Sequence, residues 1–356
     1  MQNVEVALVN KNPVINYLAA NIKKADKVIW LYENSNLVYL NNVEKLLQSS
    51  YSVEFERIKI PLKDYNKLEL IVNNIKEQYQ NDRLILNLSG GSQVSGYIIY
   101  KTLCENAKDI FVIDPDKNCI VDLTNKKSEI IHTNLTVNEY IRLYGMKMRS
   151  GIHFDPKIGE RSKLTYFIGN NINVIVPFLD KIREAVTRKN IEDKEWKLDR
   201  KGVKFSVQKK DNFYTVNYGK NSNSNQTKLE NIAEEYLFRG EWLRELVFLR
   251  VNKSHFGDVR LNIKLDPDSV PKNKKIETII DVAMRRRCKF YIFQCFSYPI
   301  SKNSFIALNA IARTIEELNA DSFILLSHRP PNSFIARAHS SGIKIVYGDK
   351  IVNFSI

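Results

Sequence analysis

Residues 83–93 read RLILNLSGGSQ, and the helix-patterned VSGYIIYKTLCENA follows at once. A β-rich run that passes through two glycines directly into an amphipathic helix is the grammar of a parallel βαβ unit. On either side the grammar repeats. VEVALVN precedes PVINYLAANIKKA, KVIWLYE precedes VEKLLQSS, VEFERIKI precedes LELIVNNIKEQY, and DIFVID closes the series. Five strands separated by helices predict an α/β fold with a Rossmann-like, doubly wound parallel sheet.

In such sheets ligands bind beyond the carboxyl ends of the strands. Three of those ends carry suitable residues: Asn10, Lys11, Asn12 and Pro13 after the first strand, Asn34 after the second, and Ser89, Gly90, Gly91, Ser92 and Gln93 after the fourth. Paired glycines let a backbone approach a ligand closely, and the helix that follows offers unpaired N–H groups and the positive end of its dipole. The loop is therefore a candidate phosphate cradle, although it has the spacing of neither GxxxxGK[ST] nor GxGxxG. Two plainer readings stand beside this one. A Gly-Gly pair also makes an ordinary tight strand-to-helix turn, and Asn10, Asn12 and Asn34 serve equally as helix or turn caps.

Past residue 135 the pattern changes. LTVNEYIRLYGMKMRSG reads as a helix leading out of the sheet domain within 136–165, and 165–235 shows little pattern before the polar loop NSNSNQTK. Then come a long helix, IAEEYLFRGEWLRELVFLRV, the strand VRLNIKL, and a hairpin of IIDVAMR with FYIFQCF. The helix SFIALNAIARTIEEL, the strand SFILLSH, the helix SFIARAHSS and the closing strand IKIVYG complete the chain. That order is the skeleton of a restriction-endonuclease-like α/β core. In the hairpin the lone acid Asp281 and the polar Gln294 fall on facing arms, where a metal site would be built.

At 356 residues with 44% apolar content, the chain has room for two or three globular domains. Its net charge of +14 is uneven, with 19 Lys and Arg against 17 acids in residues 1–150 and 35 against 23 thereafter. The C-terminal part is built to meet polyanions, or simply presents a solvated basic surface. Arg285, Arg286 and Arg287, in the hairpin loop, are the local candidates for gripping phosphates of DNA or RNA. Cys104, Cys119, Cys288 and Cys295 lack CxxC or zinc-ligand spacing and read as reduced core thiols. The five histidines show no pairing with an acid or Cys along the sequence. No stretch has the length and apolarity of a membrane span or the layout of a signal peptide, so a cytoplasmic protein with no membrane partner is expected.

These residues together carry a family resemblance. ALVNKNPVIN, NLSGGSQ and LTVNEYIRLYG resemble the CARF domain of type III CRISPR effectors, whose corresponding loop commonly reads TGGTK. GEWLRELVF, IIDVAMRRRCKFYIFQCF and IARAHSSGIKIVYGDKI resemble the PD-(D/E)XK nuclease domain joined to CARF in CRISPR ancillary nucleases. The resemblance implies a CARF domain at 1–145, an intermediate segment at 146–235 and a nuclease-fold domain at 236–356. It implies a homodimer sharing one cyclic oligoadenylate, most readily cyclic tetra-adenylate, in antiviral defence.

The nuclease motif of that family departs here. Asp281 is kept, but Gln294 stands for the Glu of ECK, Phe296 for its Lys, and Arg244 for the Glu of WLE. A neutral amide offers no charge to offset dehydration of Mg²⁺ or Mn²⁺, and Arg244 adds a positive charge beside the would-be cation. A divalent metal is expected only if relocated groups, Glu245, Glu277, Lys289 or Lys302, rebuild the site around Asp281. Three functions follow: a ligand-binding effector on a degenerate nuclease, a ligand-activated DNase or RNase with relocated acids, or a ring nuclease or sponge for the cyclic nucleotide.

Overall fold

The computed structural model describes residues 1–9, 11–34, 37–61, 64–153, 155–187, 195–210, 213–230, 232–252, 257–267 and 278–356. Asn10 and Glu277, both singled out above, lie outside the described residues.

The N-terminal unit follows the expected alternation. In order come β1 (Asn3–Leu8), α1 (Pro13–Lys23), β2 (Lys27–Tyr32), α2 (Leu37–Gln48), β3 (Glu54–Lys59), α3 (Tyr65–Gln78), β4 (Arg83–Asn87), α4 (Gln93–Leu103) and β5 (Ala107–Asp114). Two strands not read from the sequence, β6 (Cys119–Asp122) and β7 (Lys127–Ile130), extend the edge antiparallel. Strand order is β3-β2-β1-β4-β5-β6-β7. β1 lies at the centre with Val4, Val6 and Leu8 all buried, each such side chain stabilising the fold by about 1.5–3 kcal/mol. Because β1 pairs with β2 on one side and β4 on the other, the strand order reverses between β1 and β4. That reversal opens a crevice at their carboxyl ends.

The helix read within 136–165 is much shorter. α5 (Val137–Leu143) begins with a capping box between Thr136 and Glu139 and stops before Gly145, whose φ of +76° an α-helix does not tolerate. The chain then becomes β8 (Met146–Ile152).

The second unit groups the described residues of 149–265, 277–284 and 290–356, so residues 149–235 pack with the C-terminal elements. α6 (Pro156–Asn170) and α7 (Ile172–Thr187) lead to an antiparallel sheet of β9 (Glu195–Arg200), β10 (Val203–Lys210), β11 (Phe213–Lys220) and β12 (Asn225–Glu230). The inner face of this sheet, including Phe205, Val207, Val216 and Tyr218, joins Leu164, Ile168 and Ile175 in one core. The long helix expected at 232–251 is broken. A wide π-type turn at Glu234–Phe238 ends at Gly240, φ +88°, and α8 (Glu241–Asn252) restarts the helix.

β13 (Gly257–Pro267), β14 (Thr278–Arg286) and β15 (Lys289–Phe296) follow, then α9 (Lys302–Leu318), β16 (Asp321–Leu326), α10 (Asn332–Ser340) and β17 (Ile343–Tyr347). Their sheet runs β17-β16-β15-β14-β13-β8, with β15, β16 and β17 parallel. Phe293 stacks on Phe323 at 5.5 Å between centroids, fixing β15 against β16. No helix among the described residues is long and apolar enough to cross a membrane.

Candidate functional sites

In the N-terminal unit the loops after β1 and β4 meet. Gly91 has φ +71°, and a Cβ there would sit 2.7 Å from Leu8 Cδ1, so the loop can lie against the end of β1 only as glycine. Ser92 is exposed and caps α4, its Oγ accepting from the Ser95 N–H at 3.0 Å. The N–H groups of Gln93 and Val94, in the first helical turn, have no acceptor within the helix. Lys11 and Gln93 are exposed beside them, whereas Gly90 and Pro13 are buried and serve to shape the turn and start α1.

The same loop is tied down from below. Ser89 Oγ accepts from Ile113 N–H at 2.9 Å, and Ser89 N–H donates to Asn87 Oδ1 at 3.0 Å. Asn87 Nδ2 in turn donates to Glu5 Oε1 at 3.0 Å. Glu5 is fully buried, and burial pushes its carboxyl up to about 7, against the pull of Asn87 and Lys23. Ser89 is thus an anchor of the loop rather than a free hydroxyl. Asn12 likewise acts as a cap, its Oδ1 accepting from Val14 N–H at 3.1 Å. Asn34 is exposed after β2.

The second unit holds Asp281 on β14, with 0% of its surface exposed. Its Oδ2 accepts from Cys295 N–H at 2.7 Å, and Arg244 Nε lies 2.9 Å from its Oδ1. Arg244 also donates to Glu241 at 2.8 Å, one helical turn back on α8. Burial pushes Asp281 up to about 6, with Arg244 pulling the other way. Gln294 Oε1, next in sequence to Cys295, is buried and has no hydrogen-bond partner among the described residues. Phe296 packs into the apolar cluster of α9, β16 and α10.

Glu245 does not join this group. Its carboxylate forms a buried fork with Arg161 on α6, through Arg161 Nε at 2.9 Å and Nη2, and Arg161 lies over the Tyr236 ring. Burial raises its pKa, with Arg161 opposing. Lys289 and the arginine turn before it group with the N-terminal unit, where Lys289 lies 3.0 Å from Asp116. Of the three arginines, Arg285 is buried, donating from Nη1 to Arg287 O at 3.2 Å, Arg286 is half-buried, and only Arg287 is exposed, with φ +58° in the turn.

The residues do not fit a hard divalent ion. Mg²⁺ or Mn²⁺ requires several oxygen donors with compensating negative charge, and here the only carboxylate on the hairpin already faces a guanidinium. Among the described residues no three His, Cys, Asp or Glu side chains converge.

No family model and no curated protein matches the sequence. Solved structures do share the architecture. Protein VC1899 from Vibrio cholerae superposes with a TM-score of 0.76 at 16% identity, covering 99% of this chain and 95% of that one. Can2 from Sulfobacillus thermosulfidooxidans, in complex with cyclic tetra-adenylate, superposes at 0.71 with 17% identity over 98% and 96%. A type III CRISPR defence DNA nuclease activated by cyclic oligoadenylate superposes at 0.52 with 13% identity over 91% of this chain and 44% of that one. The fold is that of the CARF-domain CRISPR ancillary nucleases. In the resemblance read from the sequence, the N-terminal unit stands in the place of the CARF domain and the second unit in that of the nuclease-fold domain.

Two features of these sites escaped sequence reasoning. Glu5 looked like one more residue of an apolar strand, yet it underlies the CARF loop through Asn87. Its place was legible only as an acid inside a run of buried aliphatics. In the nuclease-fold unit His328 Nε2 lies 2.7 Å from Asp180 Oδ2 and its Nδ1 lies 2.8 Å from Ser327 Oγ, a pairing between α7 and the end of β16 that no local spacing announces.

Proposed function

We propose that this chain is a cyclic oligoadenylate-binding effector of type III CRISPR defence, with cyclic tetra-adenylate as its ligand. The observation that carries this reading is the Gly91 loop. It presents the first turn of α4 at the strand-order reversal, in a fold shared over nearly its whole length with Can2 in complex with cyclic tetra-adenylate. Lys11, Ser92 and Gln93 meet the phosphates. With Gln93 in place of a cation at the loop's end, the backbone amides supply most of the anion recognition.

Two copies share the ligand in this proposal. α4 exposes Val94, Tyr97 and Tyr100 in a stripe at helical spacing that starts at the loop itself, the kind of surface a monomer rarely leaves bare. The nuclease-fold unit then responds to the ligand by binding rather than cutting. Arg244 occupies by charge the place a cation would take beside Asp281, and no metal-dependent step is assigned to it.

Calorimetry of the purified protein with cyclic tri-, tetra- and hexa-adenylate tests the reading. Tight binding of one ring, at one ring per two chains, is expected; binding of none overturns it. Single- and double-stranded DNA and RNA should stay intact with ligand and Mn²⁺. Cleavage abolished by Asp281→Ala would show instead a working metal site, and loss of the intact ring on incubation would show a ring nuclease.

A further inference from the structure

The antiparallel sheet β9–β12 has one face in the core and one turned away from it. On the outer face the register sets Lys204 opposite Asp199 and Gly219, and Ser206 opposite Lys197 and Asn217. Gly219 leaves this face indented, and residues 221–224 fold back over it so closely that a Cβ would lie 1.8 Å from Asn223 O. The result is a cavity of about 430 Å³, lined by Lys197, Lys204, Ser206, Asn217, Asn221 and Asn223 among others. That volume lies in the range of small-ligand sites. Leu198, Phe205 and Tyr218 also line it, so its walls set amides, hydroxyls and ammonium groups beside apolar surface on which a base or sugar can lie.

The charge around it points to an anion. Residues 195–230 carry eight Lys and Arg against four acids. Lys204 has no ion-pair partner among the described residues. Lys197 lies 3.0 Å from Glu195, but with 72% and 37% of the two side chains exposed, that pair costs little to exchange for a phosphate. Asp199 also faces the cavity, so the charge there is mixed but positive in balance. Farther along the outer face, four residues from Asn217 and roughly 13 Å at the usual strand rise, Phe213 lies under Lys228 Nζ at 4.2 Å and Lys210 Nζ at 5.9 Å. An aromatic ring set among lysines on a polar sheet is a stacking platform beside a phosphate track.

We propose that the outer face of this sheet binds single-stranded nucleic acid, with one nucleotide seated in the cavity. Lys197 and Lys204 take its phosphate, Asn217 and Asn223 take donor and acceptor groups of its base or sugar, and the strand continues toward Phe213. The assignment does not depend on the cyclic ligand. It places the strand on β9–β12 and assigns no part in holding it to Asp281 or to Arg286 and Arg287.

The test is fluorescence anisotropy of the full chain with labelled oligo-dT and oligo-U of about 12 nucleotides across a salt series. Lys197→Ala with Lys204→Ala should weaken binding at least tenfold near physiological salt and reduce the slope of log K against log salt by about 0.7, the share of one phosphate on a single strand. Asn217→Ala and Phe213→Leu should each weaken binding without changing that slope. Unchanged thermal midpoints keep any loss from being ascribed to unfolding. Unaltered affinity and slope in the lysine pair would overturn the proposal, as would loss on Arg286→Ala with Arg287→Ala instead, or binding of AMP with no oligonucleotide binding at all.

Discussion

The CARF loop and the Asp281 hairpin end are both strand ends of parallel or mixed sheets, and both have a fully buried acid beneath them, yet one is open and the other is closed. At the loop after β4 Glu5 holds Asn87, Asn87 holds Ser89, and the turn above them is exposed. At the hairpin Asp281 meets a guanidinium and a backbone N–H from its own chain, so its charge is already answered. The two acids differ in what answers them from within the chain: a neutral amide at Glu5, a guanidinium at Asp281.

The largest expected effect is at the fork that holds Glu245 away from the closed region. Glu245→Ala would leave Arg161 buried without its carboxylate and should destabilise the protein by about 3–5 kcal/mol in urea denaturation. Adding Arg161→Met should recover most of the loss, since two apolar groups replace the pair. If the single variant unfolds at the wild-type midpoint, the fork is not what holds Glu245 away from it.

Next in size is the acid under the open loop. Glu5 binds its proton more tightly in the folded chain, near 7, than at its ordinary 4.5. The folded state therefore holds more protons between those values, and stability falls as pH rises through that window. Glu5→Gln should flatten the dependence and be more stable than wild type at pH 8 by up to about 3 kcal/mol, as read from unfolding midpoints across pH. Asp281→Asn should likewise flatten the pH dependence, over a lower window from about 3.8 to about 6. Equal windows for the two variants would erase the contrast between the sites.

Gly91→Ala carries a smaller cost, about 1–2 kcal/mol from positive φ and the contact with Leu8, but it strikes the site itself. Cyclic tetra-adenylate affinity should fall at least tenfold by calorimetry. The contrast sharpens from the other side with Arg244→Glu, Gln294→Glu and Phe296→Lys combined. With the guanidinium gone and two carboxylates added, Mn²⁺ should bind at least tenfold tighter than to wild type in the same instrument.

Much of this architecture is legible in the residues. The β/α alternation of the CARF unit is set by apolar runs and helical spacing, which are local properties, and the GGS loop announces itself because only glycine takes its backbone. The IID and FQC arms read as a hairpin for the same reason. What sequence alone did not yield has its cause in contacts between distant segments. The sheet β9–β12 shows weak patterning because its outer face is lysine and amide, so only half of each strand carries an apolar signal. The helix expected through 232–251 has continuous helical periodicity and breaks at Gly240, where a Cβ would strike Ser297.

Sequence determined which residue types stand at each site: a glycine pair with serines in one, and Asp281, Gln294, Phe296 and Arg244 in the other. Tertiary structure decided their states. Glu245 went to Arg161, Arg244 turned to Asp281, Ser89 went to β5 and Arg285 folded into its own turn. Composition fixes the charges that must be neutralised, but burial and distance, which depend on the whole fold, select the partner that neutralises each one.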